Sequence, residues 1–170
     1  MFTQKTTLIS VSFLLLITSL TSPVYASLEK GTEAFVKRDF TTAFKYWLPL
    51  AEKGNSDVAA TIAVMFHTGT GVKQDYAKAF YWYKQAALLG NVAAQANLGV
   101  MYAKGTGTKR DYIESYAWYS AAAESLPVTK IGSALWGIDF LATQMTSEQV
   151  KKAKQLTNTY IKKYAKAPKK

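Results

Sequence analysis

The chain has 170 residues and no cysteine, and 21 Lys+Arg against 11 Asp+Glu give it a formal net charge of +10. A hydrophobic share of 49% excludes a disordered polyelectrolyte and allows one ordinary core. Without cysteine there is no disulfide framework, thiolate metal site, cysteine nucleophile or lipidated cysteine, and a single histidine leaves few catalytic constellations.

At the N-terminus, Lys5 precedes an apolar run from Leu8 to Leu20 that contains Phe13, Leu14, Leu15, Leu16 and Ile17. A bilayer span takes about 20 apolar residues, so this run is short for a transmembrane helix. The following Ser22-Pro23-Val24-Tyr25-Ala26 carries Val24 and Ala26 at the two positions a signal peptidase reads. Residues 1–26 therefore read as a secretory signal cleaved after Ala26, which implies a periplasmic or secreted address. The alternative is an uncleaved anchor or a buried N-terminal helix. No later stretch is apolar enough to span. Charge is uneven along the rest: residues 27–150 hold 12 basic and 11 acidic side chains, whereas residues 151–170 hold eight lysines and no acid.

The body repeats itself. A shift of 36 residues sets Gly69-Thr70-Gly71 on Gly105-Thr106-Gly107, Asp75-Tyr76 on Asp111-Tyr112, Trp82-Tyr83 on Trp118-Tyr119 and Ala86-Ala87 on Ala122-Ala123. The same shift in the other direction sets Asp75-Tyr76, Trp82-Tyr83 and Gly90-Asn91 on Asp39-Phe40, Tyr46-Trp47 and Gly54-Asn55. Two full units thus follow a first one whose Gly-x-Gly turn is replaced by Val36-Lys37-Arg38. Apolar residues at three- and four-residue steps predict helices over 28–37, 40–53, 57–68, 75–89, 92–104, 111–125, 130–142 and 147–165. Strand signals are absent, so the fold class is all-α. The period predicts an α-solenoid of about three helix-turn-helix repeats over 27–145, each unit burying its apolar stripe against the next. A capping helix pair ends it, and its second helix leads the lysine-rich segment 146–170.

The set Ala94-Gln95, Leu98-Gly99, Met101-Tyr102, Gly105-Thr106-Gly107, Asp111-Tyr112, Trp118-Tyr119 and Ala122-Ala123, with Gly71-Val72-Lys73-Gln74-Asp75-Tyr76 and Lys78-Ala79 one unit earlier, resembles the Sel-one-like repeat (SLR) family, a relative of the tetratricopeptide repeat. The resemblance covers about residues 31–125. It implies a right-handed superhelix and a non-catalytic scaffold or adaptor that binds a protein or peptide. Secreted bacterial members of the family often act in the envelope or at host contact. The chain departs from the pattern in its shortened first unit, at Ala63 opposite Gly99, and at Ser125-Leu126-Pro127 where Gly90 closes the preceding unit.

Several features invite a catalytic reading and have a structural one. The Gly-x-Gly turns look like phosphate loops, but each follows a helix instead of a strand and lacks the third glycine. A turn between antiparallel helices needs glycine for its positive φ. Asp39, Asp75 and Asp111 recur in phase like a carboxylate array, yet each stands where a second helix begins and can cap its free N–H groups, with Asp111 and Glu114 forming a capping-box-like pair. The aromatic share of 14% beside a basic tail suggests base stacking, but the rings are phased by the repeat and the signal segment removes the chain from nucleic acid. His67 has no nucleophile elbow to serve, and no carboxylate pair is placed for glycan hydrolysis. We therefore expect no enzyme activity, no cofactor, no metal and no nucleic-acid partner.

Binding is expected on the first helices. Thr61, Val64, His67 and Thr68, with Asn97, Val100, Ala103 and Lys104, vary between units while their neighbours keep the pattern, and their spacing puts them on one face. The alternative for this face is plain solvent exposure. The leading function is an envelope scaffold that binds a partner protein or peptide there. An inhibitor or immunity-type protein that blocks an envelope enzyme is the alternative, followed by a peptidoglycan-active hydrolase. The last helix opens on a capping box, Thr146 to Gln149, and its stripe Val150, Ala153, Leu156, Tyr160, Ile161 and Tyr164 opposes the lysines. Lys162, Lys163, Lys166, Lys169 and Lys170 suit an anionic surface such as phospholipid, lipopolysaccharide or wall polymer, or serve only as a solubilising cap.

Overall fold

A computed structural model describes residues 23–125 and 137–164, and among them every regular element is a helix. These are α1 (Pro23–Val36), α2 (Phe40–Glu52), α3 (Ser56–Thr68), α4 (Tyr76–Leu88), α5 (Val92–Lys104), α6 (Tyr112–Glu124), α7 (137–143) and α8 (Ser147–Tyr164). From α1 to α6 each helix packs on the next in an all-helical solenoid, with the tightest pairing inside the units α1–α2, α3–α4 and α5–α6, and α8 packs on α6. The observed bounds of α2 to α6 and α8 lie within a residue of the expected ones. The exception is α1, which is already helical at Pro23, the first described residue, five residues before the expected start. The Leu8–Leu20 run, the first half of the expected 130–142 helix, and Lys166, Lys169 and Lys170 lie outside the described residues.

Side-chain caps set where the helices begin. Asp39 Oδ1 accepts from the Thr42 amide at 3.1 Å, Asp75 Oδ1 from Lys78 at 3.0 Å, and Asp111 Oδ1 from both Ile113 and Glu114 at 2.9 and 3.1 Å. Asn55 and Asn91 do the same for α3 and α5, accepting from Val58 at 3.1 Å and Ala94 at 2.8 Å. Each Gly-Asn pair therefore does two jobs: the glycine closes one helix and the asparagine caps the next. The capping-box reading of Asp111 and Glu114 needs correction. The Asp111 amide already donates to the Tyr102 carbonyl at 3.0 Å, and the Glu114 carboxylate instead accepts the Tyr160 hydroxyl at 2.9 Å.

The Gly-x-Gly turns are structural, and their two glycines differ in purpose. Gly105 ends α5 in the left-handed region at φ 70°. Gly107 lies against the start of α4 one unit back, where a Cβ would overlap the Tyr76 carbonyl oxygen. Gly71 abuts the Phe40 carbonyl in the same way, so these turns are contacts between units as well as reversals of the chain.

The core combines small residues with aromatic ones and with the buried Ile62, Met65, Leu98 and Met101. Ala43, Ala79, Ala86, Ala87 and Ala94 are fully buried, which lets helices approach closely around Trp47, Trp82, Tyr83 and Trp118. A second cluster of Tyr116, Ala123, Ile138, Leu141 and Ala153 joins α6 to α7 and α8. On α8 the buried residues are Ala153 and Thr157, with the Thr157 hydroxyl satisfied by the Ala153 carbonyl at 2.9 Å. The Thr146 amide donates to Gln149 Oε1 at 2.9 Å and the Gln149 amide to Thr146 Oγ1 at 3.3 Å, a reciprocal capping box.

Candidate functional site

Between α3 and α5, the first helices of successive units, runs a groove of about 320 Å³. Thr61, Val64 and Thr68 line it from α3 and Asn97 from α5, one helical turn apart as their spacing demands. Phe35 reaches in from the last turn of α1 and Thr70 from the turn after α3. Val64 is 44% exposed and Phe35 42%, so two large apolar side chains stand open to a ligand.

Several donors of this groove are already engaged. The Thr61 hydroxyl donates to the Asp57 carbonyl at 3.0 Å, and Asn97 Nδ2 donates to the Ala93 carbonyl at 2.9 Å. Thr68 donates to the Val64 carbonyl at 2.9 Å and pairs with the Thr70 hydroxyl at 2.7 Å. Asn97 Oδ1 and the hydroxyl lone pairs are left as acceptors, with the second hydrogen of Asn97 Nδ2 as a donor beside them. An apolar floor with acceptors above it suits an uncharged side chain flanked by donors such as peptide N–H groups. Among the described residues that line it there is no carboxylate, lysine or histidine, and the ionisable group there is Tyr83, whose pKa is raised by burial. Among the described residues no group of three His, Cys, Asp or Glu could hold a metal ion.

The other expected ligand-facing residues lie elsewhere. His67 sits inside its own unit, edge-on to Tyr76 at 5.3 Å and near Tyr83 at 6.2 Å, with Nδ1 buried and unpartnered. Its equivalents explain why. Position 67 matches Gly31 and Ala103, and position 83 matches Trp47 and Tyr119. A Cβ at Gly31 would overlap the Trp47 indole, and Ala103 packs in the cluster that includes Tyr119. Position 67 therefore packs inside the helix pair and not on the groove, and only Gly31 is fixed by the size of the ring it meets. Val100 and Lys104 do not line the groove; Lys104 is exposed in the last turn of α5. Phe35 and Thr70 were not expected. The signal for Phe35 was its place in the one unit with an altered turn, an aromatic outside the repeat's own set.

At the far side of the third unit, α8 closes on α6 through aromatic rings. Trp118 stacks with Tyr160 at 4.2 Å and Tyr164 at 5.7 Å. Burial, the Glu114 charge and the hydrogen bond to Glu114 hold the Tyr160 phenol far above its usual range. Burial and then the Glu114 and Asp111 carboxylates push Tyr102 up to about 12. These groups lock the end of the array and do not face the groove.

The Sel1 repeat pattern matches residues 26–55, 58–91 and 92–125, which are the three helix pairs α1–α2, α3–α4 and α5–α6. The chain belongs to the Sel1 repeat family. Sel1 repeats are generally protein-interaction scaffolds of the tetratricopeptide-like, α-solenoid kind. Among solved structures the chain is similar to a protective antigen present in uropathogenic Escherichia coli strains that displays an SLR fold. That match has a TM-score of 0.74 and 26% identity, over 87% of this chain and 32% of the other. It is also similar in fold to a Sel1 repeat protein from Oxalobacter formigenes, with a TM-score of 0.56 and 24% identity, over 64% of this chain and 48% of the other. The chain therefore spans about a third and about half of the lengths of these two proteins. No curated protein matches the sequence.

Proposed function

We propose that this chain is a non-catalytic scaffold of the bacterial envelope that holds an extended, uncharged segment of a partner protein in the groove between α3 and α5. The observation that carries the reading is the groove's chemistry, in which exposed Phe35 and Val64 lie beside acceptors on Asn97, Thr68 and Thr70. An envelope address is supported by Lys5, the Leu8–Leu20 run and the small residues at Val24 and Ala26. The buried residues of α1, Gly31 and Ala34, follow Ala26, so cleavage there would keep both. Similarity to a protective antigen fits the same address.

The test is affinity purification from crosslinked envelope fractions, with the wild type beside a Val64→Arg, Asn97→Arg double variant. The wild type is expected to recover a partner that the double variant loses. Helicity and melting temperature are expected to stay nearly unchanged, since surface changes typically shift stability by only about ±0.5 kcal/mol. Recovery of the same partner by both forms would remove the groove from the binding surface.

A further inference from the structure

The exposed face of α8 carries Lys151, Lys152, Lys154, Lys162 and Lys163, while the helix's single acid, Glu148, stands in its first turn. Lys162 follows Lys151, and Lys163 follows Lys152, by 11 residues, which is close to three helical turns. Four lysines therefore form two parallel rows, each about 16 Å long. Gln155, Asn158 and Thr159, all exposed and uncharged, fill the space between. The ion pairs among the described residues, Glu33–Lys37 and Asp75–Lys78, belong to the repeat units and leave the α8 lysines without a counter-charge.

The other arc of α8 is already committed. Ala153 and Thr157 are buried, and Tyr160 and Tyr164 stack on Trp118. A free amphipathic helix binds a bilayer by sinking its apolar face into the headgroup boundary. Here that would mean unstacking Trp118 and breaking the Tyr160–Glu114 hydrogen bond, so only charge is left to offer. All five cations are lysines. An ammonium is a compact, hydrated point charge without the fork that grips one phosphate bidentately. A coplanar set of such charges on a convex helix face matches a flat layer of many weak anions better than a single fixed one.

We propose that the lysine face of α8 adsorbs the protein onto an anionic phospholipid surface, with the helix axis parallel to the bilayer. This is independent of what the groove binds. Adsorption is peripheral and reversible, each lysine contributing about a fivefold gain in partitioning near an anionic leaflet. It weakens as salt shortens the Debye length toward about 8 Å.

Cosedimentation with phosphatidylglycerol-containing vesicles, phosphatidylcholine vesicles and isolated wall polymer tests it, at low and at physiological salt. Three forms of the protein are needed. Beside the wild type stand a variant with Lys151, Lys152, Lys162 and Lys163 changed to Gln, and a control with the exposed Lys45, Lys53, Lys84 and Lys109 changed to Gln. Both variants lose the same charge, and circular dichroism with thermal melting shows that each is folded. The wild type and the control are expected to pellet with the anionic vesicles alone, and the α8 variant to partition at least about a hundredfold less. Equal losses in the two variants would reduce the effect to net charge, and pelleting that ignores salt or persists in the α8 variant would overturn the proposal. Stronger, α8-dependent pelleting with wall polymer would overturn the choice of phospholipid.

Discussion

The first and third units answer the same folding problem differently. In the third, α5 ends at Gly105 and the chain takes a turn through Gly107 before Asp111 caps α6. In the first, α1 runs one turn further, to Val36, and reverses through Arg38 at φ 62°, the left-handed conformation taken by a non-glycine residue. The extra turn replaces the glycine loop and carries Phe35 to the edge of the groove. A change that looks in the sequence like the loss of a motif is therefore the gain of a ligand-facing ring. The two units also differ at the aromatic position, since Trp118 is 2% exposed beneath α8 whereas its equivalent Tyr46 is only half-buried.

The largest separation between the units should come from these rings. Trp118→Ala empties a stacked, buried indole and is expected to cost about 3–5 kcal/mol. Tyr46→Ala should cost about 1 kcal/mol, an ordinary value for a partly exposed side chain. Paired thermal melts decide it, and equal losses would mean that the first unit is as tightly packed as the third.

The turns come next, with effects of opposite sign. Gly107→Ala combines a positive φ with overlap on the Tyr76 carbonyl and should destabilise by about 2–3 kcal/mol. Gly54→Ala has open space around it, so it isolates the backbone strain alone, about 1 kcal/mol. Arg38→Gly relieves that strain in the first unit but adds freedom to the unfolded chain, for a net gain of about 0.5 kcal/mol. Urea titrations of the three variants should order them in this way. A destabilised Arg38→Gly would show that the arginine side chain holds the turn through contacts of its own.

How much of this was legible in the sequence depends on whether a feature is local. Helix bounds, the aspartate caps and the Thr146–Gln149 box follow from neighbours three or four residues apart, and such signals read directly. Variation between units was a poorer guide to the site, because it mixes two causes. Thr61, Val64, Thr68 and Asn97 do share a groove, whereas His67 and Ala103 pack near the rings of their own helix pairs. Separating the causes requires knowing which residue faces which across a helix pair. The contact between Glu114 and Tyr160 was hidden for the same reason, being 46 residues apart in the chain.

The smallest effect at neutral pH, and the one most confined to the third unit, concerns Tyr102. Its equivalents in the other units are Phe66 and Lys30, so the alignment puts no phenol in their place. Ionised, Tyr102 would face burial and the charges of Glu114 and Asp111, which is why its pKa rises from 10.0 to about 12. The folded state thus holds this proton more tightly than the unfolded state does. That contribution is fully present below pH 10 and is lost as pH rises from 10 through 12. Tyr102→Phe should leave stability at pH 7 within about 0.5 kcal/mol of wild type, as no hydrogen bond from its hydroxyl anchors the fold, and should soften the decline above pH 10. Tyr160→Phe gives the contrast, because it also deletes the hydrogen bond to Glu114 and should cost about 1–2 kcal/mol already at pH 7. Chemical denaturation at pH 7 and in steps from 9 to 12 measures both. If the alkaline decline of Tyr102→Phe were as steep as that of the wild type, the instability would belong to the other tyrosines whose phenols burial pushes up, Tyr83, Tyr119 and Tyr160.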